Sequence, residues 1–540
     1  MRFRCMRGWA TAGLALGILA LGLPVPSGPA AAGGVLRIGM TAADIPLTAG
    51  QPDNGFEGYR FTGYTIYDAL VNWDLSSADK ASDIKPGLAT EWAVKPDDPT
   101  VWVIRLRQGV KFHDGSAFNA DAVVWNLDKI FDDKSAHYAP DQSAQVRGRI
   151  TSLKSYRKID DATVEITTKA PDSFFPYQLT YVLYSSPAHW EALGRDWKKF
   201  SQKPSGTGPF KVVNLVPRER LELVPNPDYW DKDRIPKTDR IVLMPVPEAS
   251  ARTAALLSGQ VDWIEAPAPD AIPRMEASGF KIVSNAYPHI WSWHLSRLPD
   301  SPWNDLRVRK AANLAIDRES MKLLLRGYMQ PAKGHVLPSS PWFGKPAFDI
   351  RYDPKEAQRL MAEAGYGKNK PLKVKVMISP SGSGQMQPLP MNEFMQESLK
   401  EIGFDVQFEV MEWESLLGRW RAGAAADVNK GANALNVSYA TVDPFSAFVR
   451  FFQSSQIPPA GVNWGYLSDP KLDDLITRAR ATFDVAERDR LLAEAHAHAV
   501  DQAMFLWVAH DVAPRAMSAK VKGFVQAQNW FQDLTPVSVE

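Results

Sequence analysis

The sequence predicts an α/β protein of at least two lobes, and three observations carry the prediction. The chain has 540 residues, more than one compact core accommodates. Strand-type and helix-type patterns alternate along nearly its whole length. No glycine-serine linker, internal repeat or low-complexity tract divides it, so short crossovers are expected, with the chain passing between lobes more than once. Composition is that of a soluble globular protein, 45% hydrophobic and 23% charged. Lysine plus arginine number 62 and aspartate plus glutamate 61, a balance that points away from nucleic acid and from anionic membrane surfaces. Tryptophan is abundant, at 18 residues, and large rings fill cores as well as line small-molecule clefts.

The first 32 residues read as an export signal. Arg2, Arg4 and Arg7 precede the apolar run WATAGLALGILALGL at 9–23, which Pro24 and Pro26 break, and Ala30-Ala31-Ala32 offers a small-residue cleavage site. Fifteen apolar residues are short for a membrane span. Cleavage after Ala32 would change the formal charge from +1 to −2 and remove Cys5, the only cysteine. Cys5 lies before the apolar run, where a lipidated cysteine would follow it. Disulfides, cysteine nucleophiles and thiolate metal sites are then not expected.

GGVLRIGM (33–40) reads as a strand, and GYTIYDALVNWD (63–74) has helix-like apolar spacing. WVIRLRQGVKF (102–112) alternates around Gln108-Gly109 as strand–turn–strand, and Asp114-Gly115 is a second turn. Asn119 can cap a helix whose Val123, Leu127 and Ile130 share one face. ATVEITTKA (162–170) is an alternating strand, and 206–230 reads as strand–loop–strand. LRVRKAANLAIDRESMKLLL (306–325) is a helix interrupted near Asp317. Asp353-Pro354 opens another helix that Gly365 ends, and Asp469-Pro470 repeats the device. DVQFEV (405–410) and MFLWVA (504–509) read as strands around a long helix that starts at Asp484.

No nucleophile elbow, zinc-protease helix, phosphate loop or dinucleotide fingerprint occurs. His113 and Asp114 are neighbours, but on a strand end they point to opposite faces, which makes them a turn-stabilising pair rather than a proton relay. His496 and His498 are two apart on a helix, about 200° around its axis, so they share no ion and read as a solvated face. The acid pairs Asp160-Asp161 and Asp473-Asp474 sit at turns or helix starts.

Seven segments, in order, carry a family resemblance: LRQGVKFHDGSAFNADAVVWNL, GTGPFKVV, NPDYW, LRVRKAANLAIDRE, YDPKEAQRLMAEAGY, LKEIGFDVQFEVMEWESLL and LSDPKLDDLITRARA. The chain resembles the peptide/nickel/opine-type solute-binding proteins, family 5, that serve ABC importers. The resemblance implies a two-lobed periplasmic-binding-protein fold of type II with an extra subdomain inserted in the first lobe. It places the first lobe at 33–72, 204–282 and 503–540, the subdomain at 73–203 and the second lobe at 283–502. It implies a periplasmic monomer that binds a peptide-like or other polar solute between its lobes and passes it to permease subunits. Catalysis, cofactor, metal and nucleic acid are not expected. Two other readings stand beside it: a secreted hydrolase whose Asp, Glu and His residues are brought together by folding, and a chaperone or sensor on the same scaffold.

For the ligand, the resemblance implies an aspartate for a peptide's amine three residues before Asp443-Pro444. That slot falls on Ala440, and an aromatic slot falls on Val437. An arginine for the ligand's carboxylate is expected ahead of the NEFMQESLKEIGF helix, yet no Arg, Lys or His occurs from Val376 to Leu399. With both charged anchors missing, an uncharged or weakly charged ligand with a flat apolar face is expected: a sugar, opine-like compound, aromatic solute or uncommon peptide. Trp413 resembles a cleft-lining tryptophan of the family. Tyr439, Asp443, Trp291, Trp293 and Trp464 are further candidates, with Gln51 and Asp53 in the first-lobe loop. The glycine-rich SPSGSGQ loop (379–385) could approach a ligand through its backbone.

Overall fold

The computed structural model describes residues 33–286 and 288–540. The expected export signal lies outside them. Three larger sheets organise the chain. In the first, the strands run in the order Lys281–Val283, Arg515–Met517, Trp263–Glu265, Val35–Met40, Arg240–Pro245, Arg220–Pro225, Phe210–Val216. Val35–Met40 lies parallel to both neighbours and buries Leu36, Ile38 and Met40 completely. Period-2 alternation in VLRIGM puts these three on the core side.

The second sheet has the order Gln330–Pro331, Leu506–His510, His289–Leu295, Ala434–Ala440, Leu372–Ile378, Phe404–Val410. His289–Leu295 is buried at all seven positions, as expected of a central strand covered on both faces. The third sheet is antiparallel, with Ala89–Lys95, Asp98–Leu106, Thr163–Thr168 and Leu153–Asp160 in that order. The helix Ala120–Phe131 packs on it through Val123, Leu127 and Ile130, and Asn119 caps it by accepting from Ala122 N at 3.0 Å.

The chain crosses between the first two sheets after Val283 and again after His510. The crossings hold each other: Asn285 N donates to Val512 O and Asp511 N to His289 O, both at 3.0 Å. This corrects one expected boundary. The segment 503–540 is not all first lobe. Leu506–His510 pairs with His289–Leu295 in the second sheet, and only Arg515–Met517 joins the first. MFLWVA is apolar on both faces, and its strand is buried throughout.

Other local expectations also shift. The helical turns near the first-lobe loop run from Gly55 to Ile66, with a wide turn at Tyr59–Gly63, and Val71–Trp73 is a strand. After Asp98–Leu106 and the turn at Gly109, the expected second strand is a single bridge, Lys111 to Ala117. His113 Nε2 faces Gly208 O at 2.9 Å, whereas Asp114 takes the hydroxyls of Ser116 and Ser186 at 2.8 and 2.9 Å, so the two side chains serve different turns. His496 is not on a solvated face. Its Nε2 accepts from His335 N at 2.9 Å and its Nδ1 meets Phe343 O at 2.6 Å, and burial lowers its pKa to about 4.

Candidate ligand-binding cleft

A cavity of about 510 Å³ lies where the inserted subdomain, the first-lobe helix and the second sheet's loops converge. Phe56 and residues 147–153 form one wall, and Trp413, Trp420, Val437–Tyr439 and Arg450 form the other. Around it the two halves touch. Glu57 N donates to Ser383 Oγ at 3.2 Å, Arg421 to Gln145 at 3.2 Å, and Tyr181 and Ser446 hydroxyls meet at 3.3 Å. On the subdomain side, Arg480 pairs with buried Asp172 at 2.7 Å, and Ser173 N donates to Arg480 O at 2.7 Å.

Local chemistry positions each wall. Glu412 caps the helix Trp413–Ala422, accepting from Glu414 N at 2.8 Å and Ser415 N at 3.2 Å. Trp413 and Trp420 are seven apart, two turns, and so share its buried face. Neither indole N–H has a protein hydrogen-bond partner among the described residues. Gly382 has φ +148°, and a Cβ there would stand 2.5 Å from the Trp413 indole, so glycine lets its loop cross that ring. Ser383 then reaches the cavity.

Tyr439 comes from the end of Ala434–Ala440. Its ring stacks on Phe451 with centroids 3.7 Å apart. Asp443 starts the next helical segment by accepting from Ser446 N at 2.8 Å, with Pro444 following, and this segment carries Arg450. The Arg450 guanidinium lies 5.6 Å from the Trp420 ring and 5.3 Å from that of Phe451. Opposite, the turn Arg147–Arg149 ends the helix Pro140–Val146. Arg149 sits against three rings, Tyr181 at 4.7 Å, Tyr59 at 5.1 Å and Phe56 at 5.2 Å.

The walls are strongly cationic. Arg147, Arg149, Lys169, Arg421 and Arg450 line the cavity, and among the described residues no aspartate or glutamate does. Burial and the positive charge of Arg149 lower the pKa of Arg450 to about 9. Arg421 is lowered by burial and by Arg149, against the pull of Glu414. Asp443 is pushed up by burial. The lining histidine, His289, is lowered to about 3 by burial and by the neighbouring His510 and Arg60, which keeps it neutral.

Of the residues singled out from the sequence, Trp413 and Tyr439 line this cavity. Asp443 is fully buried behind Arg450 and does not line it. Trp291 and Trp293 are core residues of the central strand, their indoles donating to Gln385 O at 3.1 Å and Asn392 Oδ1 at 2.8 Å. Trp464 is likewise fully buried in the second-lobe core. Gln51 donates to Leu183 O at 3.0 Å, and Asp53 accepts from Leu47 N at 2.6 Å, so both hold the first-lobe loop instead of facing the cavity. The SPSGSGQ loop seats on the rings of Trp413 and His289, and only Ser383 of it reaches the cavity. The two missing anchors do not leave the wall uncharged. The gap in basic residues at 376–399 is real, but the cations come from 147–169, 421 and 450. Arg450 carried a readable signal, an arginine inside the aromatic run FSAFVRFF. Arg149 and Arg421 carried none.

The model of bacterial extracellular solute-binding proteins, family 5, matches residues 83–459. The glutathione-binding protein GsiB of Pectobacterium atrosepticum is 30% identical over 515 residues, covering 91% of this chain and 95% of that one. The heme-binding protein A of Haemophilus influenzae is 27% identical, covering 89% and 88%. The structure superposes on the ABC transporter-associated periplasmic binding protein DppA from Helicobacter pylori, in complex with the peptide STSA, with a TM-score of 0.80 and 25% identity over 94% of this chain and 98% of that one. The two sheets joined by paired crossings are thus those of a type II periplasmic-binding-protein fold, and the chain belongs to the family 5 extracellular solute-binding proteins, the periplasmic solute-binding components of ABC importers.

Proposed function

We propose that this chain, exported and cleaved after Ala32, works as a monomer that encloses one small solute in the 510 Å³ cavity and hands it unchanged to the permease subunits of an importer. Trp413 and Tyr439 contact the solute. The observation that carries this reading is the make-up of the cavity: residues of both lobes and of the inserted subdomain line one space, and contacts such as Glu57 to Ser383 bring the lobes together beside it. Closure of that kind sequesters a solute and presents both lobes to a partner. The reading without chemistry is supported by the lining itself. No carboxylate among the described residues lines the cavity itself; the lining His289 has Asp511 3.9 Å away, behind the wall. Relatives are named for glutathione, haem and peptides, so membership does not select the cargo.

Native mass spectrometry of the protein purified from its own host tests the proposal. The expected result is one chain beginning at residue 33 that retains one small molecule, released intact on denaturation and accompanied by a smaller radius of gyration in solution scattering. A chain that retains and compacts with nothing, or that converts the molecule, overturns it.

A further inference from the structure

The cavity's donors and charges also describe what fits it. Resting on the solute-binding reading above, we propose that the solute is a small organic polyanion with a flat face, its two or more acid groups received by Arg149, Arg421 and Arg450 while its plane lies against Trp413 and Trp420.

The argument starts from electrostatics. The three arginines feel one another: Arg149 acts on both Arg421 and Arg450, and Arg421 acts on Arg450. Like charges gathered in a partly desolvated space repel strongly, and proteins pair such groups when the purpose is structural. Here the pairing is incomplete. Two acids stand within electrostatic reach, Glu414 for Arg421 and Asp443 for Arg450. Asp443 spends one oxygen on the Ser446 amide and is driven toward its neutral form by burial. Arg450 is 7% exposed, and its Nε has no protein hydrogen-bond partner among the described residues; the same holds for Nη1 of Arg149. Arg147 and Lys169 add further positive charge at the edge, where each gives a donor to a carbonyl, Phe131 O at 3.2 Å and Thr151 O at 2.8 Å.

Hydrogen-bond polarity points the same way. Guanidinium groups and indoles are donors only. The Trp413 and Trp420 N–H groups and the two arginine N–H groups named above are buried donors at the wall without a protein partner among the described residues, and the guanidiniums that line the cavity offer donors only, so acceptors on the solute suit it. Planar guanidinium forks take carboxylate or phosphate oxygens in pairs. Arg149 is fixed against Tyr181, Tyr59 and Phe56, and Arg450 against Trp420 and Phe451, which orders both forks before a solute arrives. The wall is equally poor for a peptide's ammonium group: no carboxylate among the described residues lines the cavity, and the position where the family's peptide binders are expected to carry an aspartate is Ala440, which is buried.

Calorimetric titration and thermal shift of the purified protein test this with benzene-1,2,4-tricarboxylate, citrate, phenyl phosphate, alanyl-alanine and glucose. The expected result is binding of the aromatic tricarboxylate, weaker binding of the non-planar citrate, affinity that falls as salt rises, and a loss of tenfold or more in Arg450→Gln. Arg421→Gln, on a half-buried side chain, gives the same loss if the first variant folds poorly. Phenyl phosphate binding more tightly than the tricarboxylate would assign the acid groups to phosphate and still support a polyanion. Tight, salt-independent binding of glucose or alanyl-alanine with the anions inert overturns this inference and leaves the solute-binding proposal standing. If no probe binds and no solute co-purifies, the solute-binding proposal falls as well.

Discussion

Buried arginines occur in several settings in this molecule: Arg252, Arg309 and Arg318 give their donors to backbone carbonyls, and two further groups differ sharply from each other. On the first sheet, Arg60 and Arg515 are 2–3% exposed and both reach Glu265, at 2.5 and 2.9 Å. Trp263 Nε1 donates to the same carboxylate at 2.8 Å, and Arg515 and Arg60 hold its pKa below the usual range despite complete burial. In the cavity, half-buried Arg149 and buried Arg450 form no ion pair among the described residues, and burial and the charge of Arg149 pull the pKa of Arg450 down. In the first cluster both oxygens of Glu265 are taken within the protein, although Nε and Nη1 of Arg60 have no hydrogen-bond partner among the described residues. The second is complete only with something that brings negative charge. What sets Arg450 apart is that, among the described residues, it has neither a short ion pair, as Arg515 has, nor the carbonyl acceptors that hold Arg309 and Arg318 in the core, and such a cation beside a cavity is a candidate for binding.

The largest expected effect comes from breaking the first cluster. Glu265→Ala leaves two buried guanidiniums without their carboxylate and is expected to cost about 3–5 kcal/mol of unfolding free energy, read from denaturant midpoints. A loss under about 1 kcal/mol would erase the contrast between the two regions.

Much of the architecture was readable because its causes are local. Asn119, Asp353, Asp469 and Asp484 each accept from an amide two or three residues on, as their sequence positions predicted, and the interruption expected near Asp317 is a new helix start capped in the same way. The cavity was less readable because its causes are not local. Trp413 and Trp291 are the same residue type in similar company, but one lies at the start of a helix at the cleft and the other in mid-sheet. Arg149 and Arg421, in RGR and RWRAG, carry no local signal, and only the meeting of lobe and subdomain gathers them. His496 shows the same limit: its helix periodicity was right, but the loop at 334–336 that covers it comes from 160 residues away.

His496 sharpens the comparison from a third side, as a buried base kept neutral. Burial lowers its pKa from about 6.5 to about 4. Between those values the unfolded chain holds a proton that the folded chain does not, so stability falls as pH drops from about 6.5 to 4 and levels off below. The contribution is about 3 kcal/mol, at 1.36 kcal/mol per unit. His496→Gln should therefore lose less stability than the parent between pH 7 and 4.5, measured by urea unfolding at each pH. Equal slopes would mean that His496 does not titrate in this window.

Arg480 and Asp172 form a buried pair that joins the inserted subdomain to the second lobe. Such a pair exists only while the lobes are together, so it biases closure as well as holding the fold. Asp172→Asn should weaken solute affinity about tenfold, equivalent to about 1.4 kcal/mol, and raise the radius of gyration of the free protein. An unchanged affinity with a lowered melting temperature would place the pair with Glu265, as architecture alone.

The smallest effect on folding is the most discriminating. Arg450→Gln removes a guanidinium packed on Trp420 and Phe451, which costs about 0.5–2 kcal/mol of cation–π contact and stem packing. It also removes the repulsion from Arg149 and Arg421 and the desolvation that lowers this group's pKa to about 9, which stabilises by a similar amount. The two should nearly cancel, leaving the solute-free variant within about 1 kcal/mol of the parent. Denaturant unfolding of the solute-free protein measures this directly. A loss of 3 kcal/mol or more would make Arg450 a structural cation like Arg515, and the cavity's positive charge would then be no guide to its cargo. A near-zero change in the free protein, together with loss of the stabilisation a bound anion supplies, separates the two kinds of buried arginine by experiment.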